Sequence, residues 1–261
     1  NYPDNDLSYP ANFLNMMFSS PVTNFGSGTL MVMAGGTGGH VYPAMAVADY
    51  MQMQGWKVVW LTTEGGMENK LIEAKSYSKA MITMRGVRGR GLLGWVLLPI
   101  KLTIAFKQIF AAIRKYQPTV VLGMGGFAAF PGGLMAKLLG KPLVIHEQNS
   151  IAGLTNKTLA VFANKVLAAF PSAFGTKALL VGNPVRQEIT ELSSPKQRYA
   201  ERTGNLKLLV VGGSLGATAL NEVLPKALAG LPKDTRPEVI HQAGEKHITA
   251  LQANYYAAGV E

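Results

Sequence analysis

The sequence of 261 residues contains no cysteine. Disulfide scaffolds, cysteine-ligated zinc and thiol nucleophiles are therefore excluded, and the composition agrees with a reducing compartment. No uncharged apolar run reaches the roughly 18 residues that a membrane-spanning helix needs. Residues 1–28 are rich in Asn, Ser, Pro and Gly and lack the basic start of a secretory signal, so they read as a flexible extension. Charge is scarce as well. Charged residues make up 15% of the chain against 48% hydrophobic, which supplies a sizeable core and argues against global disorder.

Acids are missing from one long stretch. None occurs between Glu73 and Glu147, and no Lys or Arg precedes Lys57. The acid-free stretch holds Lys75, Lys79, Arg85, Arg88, Arg90, Lys101, Lys107, Arg114, Lys115, Lys137 and Lys141, and the net charge is +10. A segment of one sign points to a polyanionic partner: phosphate ligands, nucleic acid or an anionic membrane surface. Nucleic acid is disfavoured, because no RNA-recognition or helix-turn-helix signature is present and no aromatics alternate with the basic residues. Leu92, Leu93, Trp95, Leu97 and Leu98 sit among those charges, and Lys101, Lys107, Gln108, Arg114 and Lys115 follow at near-heptad spacing. Apolar residues with a basic rim suit an interfacial anchor on anionic lipid. A core helix with a solvated basic face is the plainer reading of the same residues.

What is present is a strand–helix alternation. Residues 30–34 and 57–62 read as buried strands, with a helix over 44–54 whose first turn takes Pro43. A short helix over 67–74 and a strand over 80–84 follow. A long helix is expected over 99–116, strands over 119–122 and 142–145, and a helix over 131–139 between them. Further strands are expected over 165–169 and 178–181. A second cycle opens at residue 206 after a polar connector. The expected class is α/β with parallel doubly wound sheets. The expected division is an extension over 1–28, a Rossmann-like domain over 29–185 and a second over 186–261, which is short for a complete domain.

Three glycine turns each follow a strand and precede a helix: Gly35-Gly36-Thr37-Gly38-Gly39-His40, Gly123-Met124-Gly125-Gly126-Phe127 and Gly212-Gly213-Ser214-Leu215-Gly216. Glycine lets backbone N–H groups approach a phosphate, and the helix start adds unpaired donors. Turn geometry alone explains any one of them; three in one context favour nucleotide or diphosphate recognition. No Gly-Lys-Ser/Thr follows, so the Walker pattern fails. The dinucleotide fingerprint fits poorly, since a start at Gly36 needs Gly or Ala at Val41. Glu64 stands where a ribose-binding acid would sit, which leaves a nicotinamide-dependent oxidoreductase as an alternative. His241 and His247 fall on different expected elements and read as structural or surface residues.

Four runs carry a resemblance. They are residues 33–44 (Met-Ala-Gly-Gly-Thr-Gly-Gly-His-Val-Tyr-Pro-Ala), Gly123-Met124-Gly125-Gly126, His146-Glu147-Gln148-Asn149 with Ala152-Gly153-Leu154-Thr155-Asn156-Lys157, and Val181-Gly182-Asn183-Pro184-Val185-Arg186. Together they resemble the MurG family, the UDP-N-acetylglucosamine:N-acetylmuramyl-(pentapeptide) pyrophosphoryl-undecaprenol N-acetylglucosamine transferases, from about residue 30 to the end. The resemblance implies a GT-B fold and an inverting hexosyltransferase. The enzyme would move N-acetylglucosamine from UDP-N-acetylglucosamine to lipid I, forming lipid II for peptidoglycan. It implies work at the cytoplasmic face of the bacterial inner membrane, as a peripheral protein, with cell-wall synthesis proteins as further partners. It implies no cofactor and no tightly held metal.

By the same resemblance, His40 is the general base and Glu147 the second choice. Thr37, Gly38 and Gly39 approach the donor, Asn149 contacts the donor sugar or the acceptor, and Arg186 and Ser214 contact the nucleotide part of the donor. Gly36, Gly125, Gly126 and Phe127 belong to the loops near the acceptor diphosphate. Ala129-Phe130 stands where Ser-Gly is usual, and Leu215 where Gln is usual. The family's later uridine-recognition segment is not found before Glu261, so a lipid-binding fragment without catalysis is kept as an alternative.

Overall fold

The computed structural model describes residues 26–83, 98–200, 202–213 and 216–260. The chain divides into two units, one ending at Glu191 and one running from Leu192 to Glu261. The expected boundary at 185/186 falls six residues early. Arg186 and the short helix that follows it belong to the first unit.

In the first unit, β1 (Thr29–Ala34), α1 (Gly38–Met53), β2 (Lys57–Thr63), α2 (Glu68–Leu71) and β3 (Ser78–Ile82) form one half. The other half is α3 (Leu98–Tyr116), β4 (Val120–Gly125), α4 (Ala129–Leu138), β5 (Leu143–Glu147), α5 (Leu154–Leu159), β6 (Lys165–Ala168), β7 (Leu179–Leu180) and α6 (Gln187–Thr190). All strand pairs are parallel, in the order β3-β2-β1-β4-β5-β6-β7. The order reverses between β1 and β4. In such sheets the crevice beyond the carboxyl ends of those two strands is where ligands bind.

The strands are apolar on both faces because helices cover both. Alternate residues go to opposite layers. Leu30, Val32 and Ala34 of β1 join Val41, Ala44, Ala48 and Met51 of α1. Met31 and Met33 face the other way, onto Ala105, Ile109 and Ile113 of α3 and onto α4. Trp60 of β2 is fully buried and stacks on Tyr77, while its Nε1–H donates to the Ala34 carbonyl at 2.9 Å. A buried indole with its N–H satisfied fixes the end of β1, where the first glycine loop begins.

Two expectations fail at the loops themselves. α1 starts at Gly38 rather than at residue 44, and Pro43 lies inside it. Gly38 and Gly39 argue against helix by propensity but sit in the first turn, whose N–H groups have no intrahelical partners to lose, whereas Pro43, the sixth residue, forgoes the bond to the Gly39 carbonyl. β4 continues to Gly125, past the expected end at 122. It carries a bulge: Met33 pairs with Gly123 and Ala34 with Gly125, so Met124 is an extra residue.

The second unit contains α7 (Pro195–Ala200), β8 (Lys207–Val211), α8 (Thr218–Ala229), β9 (Glu238–Gln242) and α9 (Ile248–Ala257). β8 and β9 pair in parallel. Val210, Leu228 and Leu251 are buried, while Leu209, Val211 and Ile240 are exposed. No helix among the described residues is long and apolar enough to cross a membrane.

Candidate active site

The first two glycine loops meet at the reversal between β1 and β4. Gly126 presses on the backbone of Gly35, and a Cβ at Gly125 would lie 2.9 Å from Cε1 of His40. Both Gly125 (φ 102°) and Gly126 (φ 90°) are left-handed, a conformation that side-chain-bearing residues rarely adopt. Glycine is needed there twice over, for the turn and for the close approach. Gly36, Thr37 and Gly39 are exposed, and the Thr37 side chain makes no capping bond. Among the described residues, the N–H groups of Gly38 and Gly39 donate to no backbone carbonyl. The start of α1 therefore holds two donors without a backbone carbonyl partner at the positive end of its dipole, one on exposed Gly39 and one on buried Gly38, which suits a phosphate oxygen. Phe127 is exposed beside them.

β5 sorts the polar motif by period two. Val144 faces the layer of α1, and Leu143 and Ile145 face the opposite layer. His146 and Gln148 continue the Val144 side. The Gln148 Oε1 lies 2.9 Å from Nδ1 of His40, and the Gln148 Nε2 lies 3.0 Å from Nδ1 of His146. The His146 Nε2 lies 2.9 Å from the Gly182 carbonyl oxygen. His146 is fully buried, and burial pushes its pKa down from 6.5 to about 4, so the ring is neutral at neutral pH.

Glu147, the second-choice proton acceptor, goes to the other side of the strand. Its Oε1 accepts from the backbone N–H of Asn149 (3.1 Å) and from Nδ2 of Asn149 (2.9 Å). Its Oε2 accepts from the N–H of Gly153 (3.0 Å) and from Nδ2 of Asn156 (2.9 Å). Burial raises its pKa, but these bonds together outweigh burial and hold the carboxyl below its ordinary value. A low-pKa carboxylate committed to four donors is a weak base and a strong tie for the loop after β5. The four bonds tie Glu147 to the loop that carries Asn149, whose Nδ2 is one of the donors although the residue is exposed.

Arg186 stands just before α6, with its guanidinium 4.9 Å from the ring centroid of Tyr42, two residues beyond His40. Glu64 is exposed in the turn after β2. The buried acid there is Glu68, whose Oε1 accepts from Thr63 N–H and Oγ1. Ser214, with Leu215, lies outside the described residues, as do Leu92, Leu93, Trp95, Leu97 and the three arginines Arg85, Arg88 and Arg90. Of Leu98 only the backbone is described, as the first residue of α3. Along α3, Ile100, Ile104 and Phe110 are exposed beside Lys107, Arg114 and Lys115. Gln108 is no part of that basic face: its amide bonds Thr83. Among the described residues no group of three His, Asp or Glu is placed to hold a metal ion.

In the second unit, Gly213, residues 241–245, Ile248, Leu251 and Gln252 line a cavity of about 470 Å³ beyond the ends of β8 and β9. The Gly213 N–H donates to Gln242 Oε1 at 3.2 Å. His241 bonds Tyr255 of α9.

Gln148 was the residue without an assigned role. Its signal was available in the strand period, which sets it on the side of His146. Gly182, which anchors the row from 34 positions later, had no local signal.

Comparison with known proteins agrees with this geometry. Residues 30–168 match the N-terminal domain of glycosyltransferase family 28, and residues 207–260 match its C-terminal domain. A protein of Nitrosospira multiformis named UDP-N-acetylglucosamine–N-acetylmuramyl-(pentapeptide) pyrophosphoryl-undecaprenol N-acetylglucosamine transferase is 55% identical over 237 residues, covering 90% of this chain and 66% of its own length. The protein of the same name from Ralstonia nicotianae is 56% identical, over 89% of this chain and 64% of its own. The crystal structure of Acinetobacter baumannii MurG superposes with a TM-score of 0.69 at 40% identity, over 87% of this chain and 64% of that one. The chain thus spans just under two thirds of the length of these relatives. No match supports a nicotinamide-dependent oxidoreductase.

Proposed function

The chain belongs to glycosyltransferase family 28, and we propose that it transfers N-acetylglucosamine from UDP-N-acetylglucosamine to lipid I, forming lipid II. The observation that carries this is the meeting of two glycine loops around His40 at the sheet's reversal point. In this reading the loops hold the diphosphate of the lipid-linked acceptor, with the donors of Gly38 and Gly39 and the positive end of α1 meeting its charge. His40 takes the proton from the acceptor hydroxyl. That oxygen bonds to the anomeric carbon of N-acetylglucosamine from the face opposite UDP. The bond from that carbon to the diphosphate breaks, and UDP leaves with its electron pair. An imidazole titrates near neutrality and suits this base role. The loop and cavity of the second unit, with Ser214, take the nucleotide, and Arg186 is a further contact for the nucleotide part of the donor.

The acceptor is anchored in a bilayer, so the protein must reach one. The exposed Ile100, Ile104 and Phe110 beside Lys107, Arg114 and Lys115 support peripheral docking on anionic lipid at the cytoplasmic face of the inner membrane, together with residues 85–97. A second reading, binding of the lipid-linked acceptor without turnover, is favoured by the small two-stranded sheet of the second unit. Transfer of labelled N-acetylglucosamine to lipid I separates the two. The assay is run on the chain and on the chain joined to the third of the Nitrosospira relative that it does not match. Turnover by either supports the transferase. Acceptor binding with no turnover by both supports the second reading.

A further inference from the structure

His40 can act as a base only through a nitrogen that carries no proton, and its ring has two. We infer that Gln148 is a positioning residue that fixes which one, by holding His40 as the Nδ1–H tautomer with the Nε2 lone pair left for the acceptor hydroxyl. The inference rests on the reading of His40 as the base.

The argument runs inward from a group that cannot donate. The Gly182 carbonyl only accepts, so the His146 Nε2 at 2.9 Å carries the hydrogen. His146 is fully buried and neutral, so its Nδ1 holds a lone pair. The amide nitrogen of Gln148 lies 3.0 Å from that Nδ1 and 3.1 Å from the His146 carbonyl oxygen. Both are acceptors, and the amide has one hydrogen for each. The reverse orientation would set the Gln148 oxygen against two acceptors, so the network assigns the amide one way. Its Oε1 then faces the His40 Nδ1 at 2.9 Å. An amide oxygen accepts, so His40 Nδ1 donates.

The row Gly182–His146–Gln148–His40 does for this imidazole what a carboxylate does in a Ser-His-Asp triad, but without its charge. That difference has a physical reason. A carboxylate at position 148 would put negative charge beside loops suited to diphosphate, and like charges in one site raise each other's energy. A neutral amide orients the ring and leaves the field of α1 unopposed.

Nitrogen-15 histidine labelling tests this directly, because the chain has four histidines. Multiple-bond proton–nitrogen spectra at mildly alkaline pH, where imidazoles are neutral, report each tautomer. His40 is expected as Nδ1–H and His146 as Nε2–H, in opposite forms within one spectrum. In Gln148→Met, His40 is expected to shift toward Nε2–H, the form that free histidine favours in water. Where transfer is measurable, kcat should fall at least about 10-fold, with the KM for donor changing far less, as for a group that orients the base. His40 found as Nε2–H in the unaltered chain overturns the inference, and that measurement needs no variant to fold. An unchanged His40 tautomer in a folded Gln148→Met also overturns it. The tautomers are read without any sugar substrate. Expected tautomers with no transfer would sink the glycosyltransferase reading and leave the row standing, whereas transfer with the wrong tautomer would do the reverse.

Discussion

The two units use the same device, a glycine turn between a parallel strand and a helix, in different surroundings. In the first, the turn after β1 is wedged against the turn after β4, and a seven-stranded sheet whose central strands are covered on both faces stands behind it. In the second, the turn after β8 rests on two strands with Leu209, Val211 and Ile240 exposed on one side. Parallel sheets ordinarily hide both faces. Both turns are packed against backbone, Gly126 on Gly35 and Gly216 on Ala243, but only the first is backed by a sheet with a buried layer on each face. Geometry fixed by a rigid scaffold suits a base that must meet one hydroxyl.

The largest effect should come from cutting between the units. Residues 26–191 alone should melt cooperatively. Residues 192–261 alone should show no cooperative transition, since two strands and three helices bury too little apolar surface to offset chain entropy. Calorimetry of the two pieces checks it, and a sharp melt of the second piece would break the comparison.

Next comes the chemistry. His40→Ala should lower turnover about 100-fold or more, the scale of a lost general base, with little change in donor KM. His247→Ala, in the second unit, should leave turnover within about 2-fold. Steady-state kinetics on the form that shows transfer decides. Near-normal turnover of His40→Ala would remove it as the base.

A matched pair of substitutions sharpens the contrast. Gly125→Ala adds a methyl against the His40 ring at φ 102°, while Gly213→Ala adds one at φ 77° with nothing within 4 Å. The first should cost about 3 kcal/mol and displace His40. The second should cost about 1 kcal/mol, from backbone strain alone. Equal losses of Tm would mean that the loops are equally tight.

Much of this was legible in the residues. The strand–helix alternation and the three glycine turns follow from period and from glycine chemistry, and the strand over residues 30–34 was found to within one residue. The start of α1 was not, because Gly38, Gly39 and Pro43 all argue against helix, and only the neighbouring loop makes that first turn worthwhile. The end of β4 was missed for a related reason. Its bulge at Met124 depends on pairing with β1. His146 and Glu147 are adjacent in one run, yet strand alternation puts their side chains on opposite sides of the sheet. Sequence adjacency puts both in one motif, whereas the pleat turns His146 toward Gln148 and makes Glu147 a tie for the loop after β5.

A pH dependence of stability is also expected, and in the first unit one residue dominates it. His146 has its pKa lowered by burial from 6.5 to about 4. Below pH 6.5 the unfolded chain takes up a proton at this residue that the folded chain refuses. Stability is therefore fully present above pH 6.5 and is lost as pH falls toward 4, with no further loss from this group below that. At pH 5 the loss should be about 2 kcal/mol. Glu147, held below its ordinary 4.5, adds loss in the same direction, but only as pH falls through that value. The window from pH 7 to 5 thus isolates His146. His241 in the second unit is also lowered by burial, so it acts with the same sign there. The units can be told apart because all three tryptophans, Trp56, Trp60 and Trp95, belong to the first. Urea unfolding followed by tryptophan fluorescence at pH 7 and pH 5 should show the midpoint falling, and His146→Leu should remove most of the difference. An unchanged midpoint would mean that His146 takes a proton without leaving its place, and the neutral row that holds His40 would not be built as described.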